Sequence, residues 1–344
     1  MLKRTLTGIT LVIILAAFML CGYFVSPIFI DMLILIFLAG SVYEMRKCFK
    51  ETGYDMYVLP SIVMLICAYP AFYLMQRFIG KGAASVSAGV QGLLIVLLVS
   101  VMLCLSIFTF RPLMKKRGKS SDCKADAPSL SDNADETAID NQSDAAGQVL
   151  KGNLNDLLAN VFIIVYPMLF LSAAWILSYK YSAIFAVLFA IFVPIIGSDT
   201  FAYFVGSLIG GKKLCPSISP KKTVAGAVGG LIGGMVVAIL FWVVFEYVGS
   251  IAPTFAEGCN YVPFISRSDG GWMWKSALIY LAIGLICGAI SEIGDLAASS
   301  IKRAIGIKDY GKIFPGHGGF MDRIDSVMYC LVVLLIAFTC IYGH

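Results

Sequence analysis

Long apolar runs decide what this chain can become. Nine stretches of 16 to 25 residues carry almost no charge: 6–24, 27–42, 57–74, 90–110, 157–177, 178–196, 224–248, 276–293 and 326–342. A helix that crosses a bilayer needs roughly 20 apolar residues. In hydrocarbon each backbone N–H and C=O must find a partner within its own segment, so runs of this length predict helices. A membrane barrel would instead show alternating segments of about ten residues. The expected fold is all-α, a polytopic transmembrane helical protein with about nine spans. Composition agrees, with 59% hydrophobic and 14% charged residues, where soluble domains carry about 25% charged.

The first run follows Lys3 and Arg4, lacks a small-residue cleavage site and is succeeded at once by another apolar run. It reads as a retained helix, not a secretory signal. None of the ten cysteines forms a C-x-x-C pair, and most sit inside apolar runs, as small buried thiols do.

Charge placement sets the expected orientation. With the N-terminus inside, 21 Lys and Arg fall on the inner side and five (Arg77, Lys81, Lys180, Arg267 and Lys275) on the outer. The positive-inside rule then puts the C-terminus outside. The net charge of +5 is too small for a nucleic-acid binder, so the bilayer is the expected large partner and no nucleic acid is expected. Between Arg111 and Asp156 a basic collar gives way to Asp, Ser, Asn and Ala with few large apolar residues. Such a stretch buries too little surface to offset its conformational entropy. The expected organisation is N-terminal membrane helices over 1–110, a disordered inner-side linker over 111–156 and a C-terminal membrane block over 157–344.

Ionisable residues in or beside spans are functional candidates, and they concentrate in the C-terminal block. Asp199, Glu292, Asp295, Lys302, Arg303, Lys308, Asp309, His317, Asp322, Arg323 and Asp325 all cluster near span ends on the expected inner face. Asp295, Ser299 and Lys302 are spaced to share one helix face, as are Asp322 and Asp325. The segment from Lys308 to Gly319 has four glycines and a proline, which permit tight turns and close backbone approach to a ligand. Carboxylates flanked by lysine, arginine and such a loop suit a Mg2+–polyphosphate complex. Hard oxygens hold the metal, cations neutralise phosphate charge, and backbone amides of the Gly318–Gly319 stretch approach the oxygens.

Farther upstream, Ser219-Pro220-Lys221-Lys222-Thr223 reads as a helix start, with Ser219 at the N-cap and Pro220 at the first position. Lys221 and Lys222 at such a terminus make a phosphate site. Gly226, Gly230 and Gly234 repeat every fourth residue, as in close helix packing. Small-residue faces suit a homodimer and packing within the chain equally.

Ser299-x-Ile301-Lys302-Arg303, then Lys308-Asp309-x-Gly311, then Phe314-Pro315-Gly316-His317-Gly318-Gly319-Phe320-x-Asp322-Arg323-Ile324-Asp325 resembles the signature of CDP-diacylglycerol synthases (phosphatidate cytidylyltransferases). Asp199-Thr200-Phe201-Ala202-Tyr203 and Ser219 to Thr223 also resemble that family. Ala298 stands where the family often has a glutamate, and Ser207 where it has a basic residue.

The resemblance implies transfer of CMP from CTP to phosphatidate, giving CDP-diacylglycerol and pyrophosphate in phospholipid biosynthesis. It further implies Asp295 and Asp322 as metal ligands with Asp325 in support, and Mg2+ as cofactor, with room for a second cation. Lys302, Arg303, Lys308 and Arg323 are implied on phosphates, with Lys221 and Lys222 as further candidates beside Ser219 and Asp199. His317 either donates to the leaving pyrophosphate or contacts the nucleotide. The expected location is a bacterial inner (plasma) membrane, with the active site facing the cytoplasm. Two rival readings are a CTP-dependent polyprenol or lipid kinase and an ion-coupled transporter. The kinase should not carry the full glycine–histidine–aspartate run, and a transporter should carry its charges at the membrane midplane.

Overall fold

The computed structural model describes residues 10, 13–18, 20–22, 26, 28–78, 84–119, 136–178, 183–251, 263–266, 268–314 and 318–342. Within them the backbone is almost wholly helical, as the apolar runs require. The helices are α1 (Ile28–Glu51), α2 (Val58–Phe78), α3 (Ala84–Lys119), α4 (Glu136–Leu177), α5 (Ala183–Phe192), α6 (Phe201–Ile209), α7 (Val224–Trp242), α8 (Trp272–Ala304) and α9 (Met321–Tyr342). A π-helical turn, Val193–Thr200, joins α5 to α6, and another, Val243–Val248, extends α7. Eight segments among the described residues are long and apolar enough to cross a membrane, and the chain is a multi-pass membrane protein. Most of the expected first span, 6–24, lies outside the described residues.

The helices outrun the apolar runs that predicted them. Glu44, Asp199, Asp295, Lys302, Asp322 and Asp325 all stand on these extensions. The clearest correction concerns the sixth span, expected to stop before Asp199. The structure instead carries it to Ile209 in one segment, Val187–Ile209. The wider π turn absorbs Pro194 and Gly197 without ending the helix, and Phe201, Val205, Leu208 and Ile209 resume the apolar surface.

Two compact units emerge, one formed by Met1–Cys48 with Pro167–His344, the other by Phe49–Tyr166. The second span therefore groups with the C-terminal block and not with 1–110. Where described, the 111–156 stretch is helical, as the end of α3 and the start of α4; residues 120–135 lie outside the described residues.

In the smaller unit α2 packs along α3. Asn160 fastens the turn before α2: its carbonyl oxygen accepts from the Tyr57 N–H at 2.6 Å, and its amide donates to the Asp55 carbonyl at 2.8 Å. Asp156 accepts the Asp55 N–H at 3.0 Å.

In the larger unit α7 lies against α6 and α8, and α8 against α9. The expected glycine packing is what brings them together. A side chain at Gly233 would meet the Gly197 carbonyl and Phe201, and one at Gly234 would meet the Gly284 carbonyl. At one end of this unit an aromatic cluster fills the core: Phe185 touches Phe245, Tyr280 and Phe338 at ring separations of 4.8, 6.1 and 6.0 Å. The opposite ends of α7, α8 and α9 carry the charges.

Candidate functional site

Three helix ends and one hairpin build the charged end. The hairpin pairs β1 (Lys213–Cys215) with β2 (Ser219–Thr223), antiparallel. This corrects the expected helix start at Ser219. Residues 219–223 are extended, and Thr223 is the N-cap of α7, its hydroxyl accepting from the Gly226 N–H at 3.0 Å. Pairing with β1 supplies β2 with backbone partners, and β-branched Thr223 suits both the strand end and the cap. Lys221 and Lys222 thus precede the helix. Lys221 is exposed and Lys222 is turned inward.

Lys222 reaches two carboxylates of α8, with Nζ 2.6 Å from Glu292 Oε2 and 2.9 Å from Asp295 Oδ2. Burial works against the Lys222 ammonium, but Asp295 and Glu292 outweigh it and hold the pKa above the ordinary lysine value. Ser299 Oγ donates to Asp295 Oδ1 at 3.3 Å, as the spacing predicts.

A second knot forms about two turns farther along α8. Lys302 Nζ lies 2.9 Å from Asp322 Oδ1 and 3.9 Å from Asp325 Oδ2. Lys302 and Asp325 are 8% and 7% exposed, so these charges depend on one another for solvation. The other oxygen of Asp322 accepts the Tyr310 N–H at 2.9 Å and the Gly319 N–H at 3.0 Å, drawing both ends of the glycine loop onto α9. The Tyr310 phenol donates to the Ala298 carbonyl at 3.3 Å, and burial, then Asp322 and Asp325, push its pKa well up, so it stays protonated.

The remaining candidates fall around these knots. Asp199, on the π turn, stands in the electrostatic field of Asp295, Lys222, Asp325 and Glu292. Arg303 is exposed and its guanidinium donates to the Ile218 and Ile307 carbonyls, both at 3.3 Å, tying hairpin to helix. Lys308 is exposed, and Ser219 is half-buried on β2. Gly318 adopts φ +81°, a left-handed conformation that suits glycine, with its carbonyl accepting from the Phe314 N–H at 2.9 Å. Arg323 is half-buried, and its Nε donates to no described residue. His317 lies outside the described residues.

Two acidic residues matter more than sequence reasoning allows. Glu292 is counted there only as one charge among many, yet it takes the shortest ion pair of the site, and its second oxygen is buried without a hydrogen bond from any described residue. Sequence reasoning misses Glu44 because the apolar run of its span ends at Val42. Its position on a spanning helix is the available signal.

Among the described residues no three His, Cys, Asp or Glu side chains converge tightly enough to hold a metal by themselves. Asp295, Asp322 and Asp325 each face a lysine instead. The donor set nevertheless fits Mg2+, which is usually held by one or two carboxylates and completed by substrate phosphates and water. Chemically, then, this is a cluster of hard oxygen ligands interleaved with ammonium groups, suited to an anion that brings a cation with it.

Comparison with known proteins points the same way. A family model described as the Cytidylyltransferase family matches residues 2–341. A protein of Mycobacterium leprae called phosphatidate cytidylyltransferase is 32% identical over 188 residues, covering 55% of this chain and 51% of that protein. One of the same name from Brucella abortus biovar 1 is 35% identical over 150 residues, covering 44% and 46%. The chain thus spans about half the length of these curated relatives. A third, from Mycobacterium bovis, is 28% identical over 300 residues, covering 87% and 76%.

Proposed function

The chain belongs to the cytidylyltransferase family, and we propose that it transfers CMP from CTP to phosphatidate, releasing pyrophosphate. The observation that carries this reading is the pair of lysine–carboxylate knots at one end of a membrane bundle, Lys222 with Glu292 and Asp295, and Lys302 with Asp322 and Asp325. A phosphate oxygen of phosphatidate attacks the α-phosphorus of CTP. A new P–O bond forms, the bond to the bridging oxygen of the β-phosphate breaks, and pyrophosphate leaves with that oxygen.

The attacking oxygen is already anionic, so no strong base is required. The difficulty lies in bringing two polyanions together, and fixed positive charge in a low-dielectric setting is what lowers that barrier. Lys222 and Lys302 are held at the site by carboxylates, and an arriving phosphate competes for their ammonium groups. Arg303, Lys308, Arg323 and Lys221 add charge around them. Mg2+ would be held by Asp295 and Asp322 with Asp325 beside them, and when bound it supplies charge neutralisation to the phosphate oxygens. The glycine loop is drawn toward the same place by Asp322, which takes its Tyr310 and Gly319 N–H groups, and His317 has its place in that loop. The acyl chains of the lipid stay in the hydrocarbon beside the helices, and the site faces the cytoplasm of a bacterial plasma membrane, the side the lysine and arginine bias selects. A homodimer has to use some face other than the α7 glycine stripe, which is filled from within the chain.

Purified protein in detergent, given phosphatidate, radiolabelled CTP and Mg2+, is expected to form labelled CDP-diacylglycerol, and EDTA is expected to abolish it. Asp295→Ala should reduce the rate by about 10²-fold or more. A phosphorylated lipid without cytidine would establish the kinase instead, and no product in detergent with substrate-dependent flux after reconstitution into vesicles the transporter.

A further inference from the structure

The glycine loop is gripped by a helix some 270 residues earlier in the chain. Phe37, Gly40, Glu44 and Cys48 recur at three- and four-residue intervals, so they form one face of α1. Each meets the loop or the start of α9. The Phe37 ring meets Phe320 edge-on at 5.5 Å, and the Phe320 ring lies directly over the backbone at Gly40. Cys48 Sγ donates to the Tyr310 carbonyl at 2.7 Å.

Glu44 makes the closest contact. It is 2% exposed. Its Oε2 accepts the Met321 N–H at 3.1 Å, and the Phe320 N–H also points to its carboxylate. A Cβ added at Gly311 or Gly319 would clash with the Glu44 carboxylate. Neither glycine has a positive φ, so the backbone itself does not demand glycine there. What favours it is the side chain from α1, whose carboxylate crowds the space that a Cβ at either position would need. Gly319 is also the residue whose N–H bonds Asp322, so the two acidic residues hold the same stretch from opposite sides.

We propose that Glu44 is a positioning residue for the reaction: it threads between Gly311 and Gly319 and fixes the loop and the first turn of α9, and through them Asp322. The inference rests on the cytidylyl transfer proposed above. The role is that of an acceptor of fixed length, and no charge is required of it.

The test measures CDP-diacylglycerol formation by the full-length protein in detergent for E44A, E44Q, G319A and the double variant E44A/G319A. The unsubstituted protein is assayed first, and its failure to form product would refute the transfer reading alone. Given an active parent, E44A and G319A should each lose about 10²-fold, the cost of misplacing catalytic groups by a fraction of a side chain. E44Q keeps the acceptor and the length, so it should stay within about threefold of the parent. The double variant should be no slower than E44A, because removing the carboxylate frees the space that the methyl group introduced by G319A needs. An E44Q as slow as E44A would mean that the charge itself acts, and would overturn the positioning role. A fully active G319A, or losses that multiply in the double variant, would equally overturn it.

Discussion

Lys302 is the residue on which the site converges, because one ammonium neutralises Asp322 and sits near Asp325 while both carboxylates are almost closed off from solvent. Removing one partner of such a buried set leaves unpaired charge and costs about 3–5 kcal/mol. Lys302→Met is therefore expected to lower the melting temperature in detergent as well as abolish transfer. Substitution of exposed Lys308 should reduce transfer without moving the melting temperature. The Lys222 pKa, held up by Asp295 and Glu292, gives a signed pH dependence. A raised lysine pKa stabilises the fold fully below its unfolded value and is lost as pH rises through the folded one. Melting curves of the parent and Lys222→Met should accordingly differ at neutral pH and converge only above about pH 10.5. Asp295, Ser299, Lys302, Asp322 and Asp325 were legible in sequence because helical spacing alone puts them on shared faces. Glu292 entered only as one charge of the cluster and Glu44 not at all, since the contacts that single them out reach partners 70 and 277 residues away and no local pattern encodes them.

At the scale of elements, apolar length revealed the helices but not where they stop. Hydrophobic runs mark the part of a helix that lies in hydrocarbon, whereas backbone hydrogen bonding carries it farther, and those added turns hold the charged groups. The π turn at Val193–Thr200 hid because proline and glycine there look like a helix end, and the β1–β2 hairpin hid because Ser-Pro is a common helix start. Two substitutions check these corrections. Thr223→Ala removes the true cap of α7 and should cost about 1 kcal/mol, while Ser219→Ala, outside any helix, should leave stability nearly unchanged. Gly233→Ala would force a methyl against the Gly197 carbonyl and Phe201, an overpacking worth about 1–3 kcal/mol. Gly270→Ala meets nothing within 4 Å and serves as the silent control.

For the molecule as a whole, the class of fold was the most legible property, since few structures other than a helical bundle satisfy so much apolar backbone in lipid. The grouping of segments was the least legible. Chain order suggested an N-terminal block, a linker and a C-terminal block, while the structure gathers Met1–Cys48 with Pro167–His344. The proposed orientation rests on the distribution of lysine and arginine and makes a direct prediction: a reporter inserted at Ser131 should respond as cytoplasmic and one fused to His344 as external. The reverse pattern would overturn the assignment of the site to the inner face.

The grip of α1 on the glycine loop has a bearing on how the protein is made. A ribosome delivers Glu44 some 270 residues before Gly319, so the carboxylate waits in an unfinished membrane assembly until the loop it grips has been synthesised. Translation stalled between the two would leave a buried carboxylate facing no partner, and the contact can close only once both segments have entered the membrane.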